Sequence, residues 1–181
     1  MHYLLQGGKT SLQTARNQDF FQKVAKMPSP ILFIYFARHE HEWEQKFEED
    51  TAKIQSLSPN MQCILASKDS DCFMNQLRQA QTVFIGGGST AVLKTKLKEI
   101  PSLTYLLASK FIVGTSAGAC VLSTYYVNDQ QEVCSGMGFL PLKIFCHYDE
   151  TKDAALNQLK KIGQKNLIVL LPEADFAEIS F

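Results

Sequence analysis

Apolar positions along the chain gather in short, nearly unbroken runs at residues 3–5, 30–36, 62–66, 82–85, 111–113 and 167–171, each bounded by turn residues. Continuous hydrophobicity of this kind suits strands buried on both faces, as in a parallel sheet. Between the runs, apolar residues recur at helical spacing near 16–27, 41–56, 71–79, 90–98 and 151–163; in the last stretch Ala155, Leu156, Leu159 and Ile162 share one face. Strand and helix thus alternate, which predicts a layered α/β sandwich with a mostly parallel central sheet. Residues 125–141, with Asn128-Asp129, Ser135-Gly136 and Gly138, break the pattern. They read as loops or short antiparallel strands at the carboxyl edge of the sheet, where ligands bind in such folds.

No internal repeat, low-complexity tract or Gly/Ser linker interrupts the 181 residues, so one domain is expected over 1–181. Hydrophobic residues make up 45% and charged residues 20%, with 18 basic against 18 acidic side chains. A balanced chain without a basic stripe recruits neither nucleic acid nor an anionic membrane. Lys94, Lys96 and Lys98 read as a solvated helix face. The five cysteines are widely spaced and contain no C-x-x-C pair. Most of them read as buried thiols in a reducing cytoplasm rather than a disulfide framework. The opening apolar run is too short for a signal peptide, and no 18-residue apolar span follows.

The chemistry concentrates at Gly114-Thr115-Ser116-Ala117-Gly118, which follows an apolar run and precedes a stretch with helical potential. Strand, sharp turn and helix with serine at the apex form the setting of a G-x-S-x-G nucleophile. A second candidate loop, Gly86-Gly87-Gly88-Ser89-Thr90, directly follows the strand ending at Ile85. It is neither a dinucleotide fingerprint, since residue 91 is alanine, nor a Walker A loop. It reads as an oxyanion-binding loop working with the Ala117 amide.

A serine nucleophile needs a base, and the chain has four histidines. His2 lies in the first strand. His39 and His41, in Arg38-His39-Glu40-His41-Glu42, are spaced i,i+2 and read as a solvated helix start rather than a zinc site. His147 remains, at the point where the apolar 141–146 stretch gives way to a polar loop. For the carboxylate that orients it, Asp129, Asp149 and Glu173 compete on local grounds.

These motifs, in this order, resemble peptidase family S51, the dipeptidase E and cyanophycinase group of serine peptidases. Val83 to Gly88 followed by Ser89-Thr90 is similar to the family's Gly-Gly-Gly-Asn-Thr segment. Gly114 to Ala119 matches its nucleophile elbow, and Asn128-Asp129 the Asn-Asp that follows it. Gly138-Phe139-Leu140-Pro141-Leu142 leads to His147-Tyr148, and Leu171-Pro172-Glu173 resembles Leu-Pro-Glu-Gly, with Ala174 in place of glycine.

The resemblance implies a class I glutamine amidotransferase-like fold with a flavodoxin-like core. It implies Ser116 as nucleophile, His147 as base, Asp129 as orienting carboxylate, and Gly88 and Ala117 as oxyanion donors. Gly87, Ser89, Lys152 and Glu173 fall in the expected substrate-binding loops. Serine in place of the amidotransferase cysteine implies hydrolysis of short peptides through an acyl-enzyme, without metal or cofactor. The family's arginine for an N-terminal aspartate has no counterpart between Tyr148 and Ala154, where Lys152 is the only cation. Strong aspartyl selectivity is therefore not expected. An esterase or amidase with the same triad, and a catalytically idle binding protein, are the competing classes. The residues after Phe176 lead to an expectation of an exposed sheet edge, which leaves a homodimer open.

Overall fold

The computed structural model describes residues 2–180. Its central sheet has six strands in the order β10-β1-β5-β4-β2-β3: β1 His2–Gln6, β2 Ile31–Ile34, β3 Cys63–Leu65, β4 Thr82–Ile85, β5 Phe111–Thr115 and β10 Phe176–Ser180. All neighbours in it are parallel except β10, which runs antiparallel to β1 and forms an edge. The predicted α/β sandwich with a mostly parallel sheet is the architecture found. Every residue of β2 and β4 is buried, as their unbroken apolar sequences require. Phe33 and Phe84 stack across this pair at 4.8 Å between ring centroids. A buried phenylalanine of this kind contributes about 3–5 kcal/mol relative to alanine.

Flanking helices form where the helical spacing predicts them: α1 Ala15–Val24, α2 Trp43–Leu57, α3 Ser70–Gln79, α4 Thr90–Lys98 and α7 Asp153–Lys161. Two short helices, α5 Leu103–Leu107 and α6 Ala117–Leu122, complete the set. Thr14, Asp69 and Ser89 cap α1, α3 and α4 by accepting from amides in the first turn. Among the described residues no helix is long and apolar enough to cross a membrane.

The structure departs from the sequence pattern in one respect that matters for the site. The 167–171 run does not join the central sheet. It is β9 Leu167–Leu171 of a second, four-stranded sheet ordered β7-β6-β8-β9, with β6 Tyr125–Val127, β7 Val133–Ser135 and β8 Leu142–Cys146. As an edge strand β9 leaves Leu167 74% exposed. Backbone hydrogen bonds join the two sheets: Gly7 N donates to Asp175 O at 2.9 Å, Ala174 N to Gly8 O at 2.9 Å and His147 N to Gly7 O at 3.2 Å. The carboxyl ends of β1, β4, β5, β8 and β9 converge there.

Candidate active site

Ser116 immediately follows β5 and precedes α6, with φ 49° and ψ −109°. Such a conformation costs about 1–3 kcal/mol for a residue other than glycine and persists only where its surroundings impose it. Here the Ser116 amide donates to Gln6 O at 2.8 Å, and its carbonyl accepts from Ala119 and Cys120 at 2.9 Å each. The hydroxyl is thereby presented at the sheet edge, where Ser116 Oγ lies 2.7 Å from His147 Nε2.

His147 follows β8 and also has a positive φ, 54°. Its imidazole packs on Gly8, whose φ is +120° and whose Cβ, were there one, would sit 2.0 Å from His147 Cε1. Glycine is required at this position both for its backbone and for the ring. The Gly8 turn is in turn held from below by Gln6, fully buried, which accepts from Gly8 N at 2.7 Å and donates to Gly8 O at 2.6 Å. Gln6 also donates to Asn17 Oδ1 at 3.0 Å, tying the turn to α1.

On the far side of the ring, Glu173 Oε1 lies 3.6 Å from His147 Nδ1, an ion-pair separation slightly longer than a hydrogen bond. Glu173 Oε2 pairs with Lys9 Nζ at 2.7 Å. That hydrogen bond, with the Lys9 and His147 charges, holds the Glu173 carboxyl below the usual glutamate range in spite of partial desolvation. Asp129 is placed differently from its expected role as the carboxylate on the histidine. It is exposed on the 128–132 turn and lines the cavities beside Ser116 and His147, but among the described residues it has no hydrogen bond or ion pair to the ring. The physical reason is topological: β9, parallel to β8, delivers Glu173 alongside His147, whereas the turn after β6 comes to the cavity wall.

The glycine loop lies against Ser116. A Cβ on Gly87 would be 3.3 Å from Ser116 Cβ, and Gly88, at φ +144°, approaches the Ala37 carbonyl so closely that a Cβ would sit 2.4 Å from its oxygen. Among the described residues neither the Gly88 amide nor that of Ala117, the first residue of α6, has a protein acceptor. Ser89 uses its hydroxyl to cap α4, accepting from Val92 N at 3.4 Å. Lys152 lines the larger cavity, yet its ammonium binds the His147 carbonyl and pairs with Asp149 at 3.0 Å. Cys146 is buried; a hydrogen bond with the Cys120 thiol, then burial, push its own thiol well above the ordinary cysteine range. It supports the Ser116 backbone at 3.6 Å and keeps its proton. Of the other thiols, Cys120 is buried, Cys63 and Cys134 are half-buried and Cys72 is exposed, so fewer are buried than the sequence suggests.

Two cavities flank Ser116 and share Gly88, Ser116, Asp129 and His147. The larger, about 430 Å³, is lined by Asn128, Gln130 and Gln131; the smaller, about 260 Å³, by Lys9, Arg38, Lys46 and Asp50. Gly8, Lys9 and Arg38 also border the site. Gly8 closes the Gln6-Gly7-Gly8 segment that resembles the family's first strand end, and Arg38 is the basic residue that the sequence leaves able to reach the pocket; Lys9 alone carries no such signal. The His39 and His41 rings stack at 5.7 Å away from this center, in an exposed 3-10 turn.

The family model for peptidase family S51 matches residues 3–179. The chain belongs to peptidase family S51. Membership makes it a serine peptidase. Among solved structures it is similar to a peptidase from an acI-B1 Actinobacterium, with TM-score 0.70 and 17% identity over 98% of this chain and 82% of that one. It is also similar to a candidate peptidase E protein from Listeria monocytogenes EGD-e, with TM-score 0.62 and 14% identity over 99% and 98% of the two chains. At such identities these likenesses concern the fold, which is the flavodoxin-like one of S51 peptidases. No curated protein matches the chain.

Proposed function

We propose that this S51 peptidase hydrolyses short peptides through an acyl-enzyme on Ser116, with His147 as general base and Glu173 as the carboxylate that orients it. The observation that carries the reading is the 2.7 Å contact between Ser116 Oγ and His147 Nε2 on a strained elbow. In the tautomer with the proton on Nδ1, facing Glu173, Nε2 is free to take the serine proton as Oγ attacks the peptide carbonyl. The tetrahedral oxyanion is received by the Gly88 and Ala117 amides. One such donor is worth about 3–4 kcal/mol in the transition state. The carbon–nitrogen bond then breaks as His147 returns the proton to the leaving amine. Water, activated by the same histidine, attacks the ester, and the acid departs with Ser116 restored.

Cavities of about 430 and 260 Å³ on either side of the serine suit one residue each, which favours short peptides. Lys152 is already engaged by His147 O and Asp149, so its availability for an aspartyl side chain is low. Free thiols support a cytoplasmic setting. The test is acylation by a small fluorophosphonate followed by peptide mapping, alongside hydrolysis of a dipeptide panel. Label on Ser116, and loss of both label and turnover in Ser116→Ala, are expected. Hydrolysis retained by Ser116→Ala overturns the assignment; label and ester turnover without peptide turnover turn it toward an esterase.

A further inference from the structure

Resting on the peptidase reading, we propose that Arg38 binds the terminal α-carboxylate of the substrate's leaving residue, in the smaller cavity beside Ser116.

The backbone of Arg38 is fixed. Its amide donates to Tyr35 O at 2.9 Å and its carbonyl accepts from Trp43 Nε1 at 3.2 Å. The preceding Ala37 carbonyl accepts from Ser89 N at 2.8 Å and packs on Gly88. Arg38 is thus anchored one residue from the oxyanion loop. Its guanidinium is not matched in the same way. Of the five donors of an arginine, one has an acceptor among the described residues, Nη1 to Glu42 Oε1 at 3.3 Å, and that carboxylate also accepts from the His39 amide at 3.1 Å. Arg38 Nε is buried without an acceptor. A buried, unmet charged donor is costly, and it is rare unless something else supplies the acceptor.

The other cations of this cavity are already engaged. Lys9 pairs with Glu173 at 2.7 Å, and Lys46 with Asp50 at 3.1 Å and Glu49 at 3.2 Å. Arg38 therefore retains the donors for an incoming anion, and its planar fork matches a carboxylate.

The two cavities decide which carboxylate. A dipeptide is a zwitterion, with ammonium and α-carboxylate on opposite sides of the scissile bond. The Asp129 carboxylate, which has no ion pair among the described residues, borders both cavities; the larger adds the Asn128, Gln130 and Gln131 side chains, and its one lysine is engaged. The larger cavity suits the ammonium end. The α-carboxylate then falls across Ser116 on the Arg38 side, whereas an acidic side chain of the N-terminal residue stays with the ammonium. A residue reading a free carboxylate in a cavity of about 260 Å³ restricts the leaving group to a single terminal residue.

The experiment is calorimetric titration of Ser116→Ala, which holds peptides intact, with Ala-Leu, Ala-Leu amide and Asp-Leu amide. Ala-Leu should bind about ten- to a hundredfold more tightly than its amide. Adding Arg38→Gln should bring the ratio to within about twofold with the thermal midpoint little changed, and Arg38→Lys should retain part of it. An unchanged ratio in Arg38→Gln, equal binding of acid and amide, or no binding of any dipeptide overturns the proposal. Affinity recovered by Asp-Leu amide in an Arg38-dependent way moves the carboxylate to the N-terminal side chain and also overturns it. Ser116 acylation in the wild-type chain judges the peptidase reading separately, because a fluorophosphonate carries no carboxylate for Arg38.

Discussion

Replacing Glu173 tests which carboxylate serves the histidine. At 3.6 Å from Nδ1, a full carboxylate charge stabilises the imidazolium of the transition state by about 1 kcal/mol in water-like surroundings and about 5 kcal/mol at an effective dielectric of 20. The side chain is 40% exposed, so solvent screening places the value near the lower end, about 1–2 kcal/mol. Glu173→Ala should then slow Ser116 acylation by about 5- to 30-fold. Glu173→Gln should be worse, because its amide can donate to Nδ1 and favour the tautomer whose Nε2 already carries a proton; the limiting loss for such a swap is about 10⁴-fold.

The assay is the rate of fluorophosphonate labelling, which reads the serine–histidine pair without depending on peptide binding. Asp129→Asn should leave that rate within about threefold and instead raise KM for peptides, since its carboxylate stands on the cavity wall. The Lys9–Glu173 pair is exposed and worth at most about 1 kcal/mol to the fold, so thermal midpoints should move by no more than about 4 °C. A larger loss in Asp129→Asn than in Glu173→Gln, or an unaffected Glu173→Ala, refutes the assignment.

Other outcomes follow from single contacts. Gly8→Ala forces a Cβ into the imidazole at a backbone angle closed to alanine, so acylation should fall by about a hundredfold while circular dichroism stays native; a rate near wild type would show that the ring need not rest on Gly8. Lys9→Met removes the main cause of the lowered Glu173 carboxyl. A depressed carboxyl stabilises the fold above its unfolded pKa and loses that effect as pH falls through its native one, so denaturant titrations should separate mutant from wild type at neutral pH and converge in acid. Burial pushes the Cys63 thiol up to about 11, and Cys72 is exposed. Iodoacetamide at pH 8 should therefore modify Cys72 well before Cys63, by mass spectrometry of tryptic peptides.

What could be read from the sequence was what is local in the chain. Ser116, the Gly88 loop and His147 each sit at a strand end marked by an apolar run and a change of composition. The central strands β2 and β4 were legible because burial on both faces leaves a continuous apolar signature. The same signature misled at 167–171: β9 is apolar but is an edge strand of a second sheet, with Leu167 and Leu170 exposed. The strands β6 and β7, three residues each, are too short for any periodicity, as is the five-residue α5. Glu173 could not be ranked above Asp129 for the same reason. Its position beside His147 depends on β9 pairing in parallel with β8, Cys146 opposite Leu171, a register that no local pattern encodes.

Five of the six non-glycine residues with positive φ among the described residues sit at the site. Lys9, Ser116, Gln131, His147 and Ala174 border the cavities or adjoin Glu173, and only Ser102, the N-cap residue of α5, lies elsewhere. Each conformation is unfavourable by itself, so each requires a contact that overrides local preference. Three of those contacts share one origin. Ser116 N binds Gln6 O, His147 N binds Gly7 O and Ala174 N binds Gly8 O. The end of β1 therefore fixes Ser116, His147 and the segment carrying Glu173 from a single stretch of backbone, and buried Gln6 fixes that stretch. Ala174 shows the arrangement directly: at φ 58° it occupies the place where the family motif has glycine, and the bond to Gly8 O holds it there. The Ser116, His147 and Glu173 geometry is thus a property of the β1 terminus as much as of the turn at Ser116, although the β1 terminus contributes none of those three side chains.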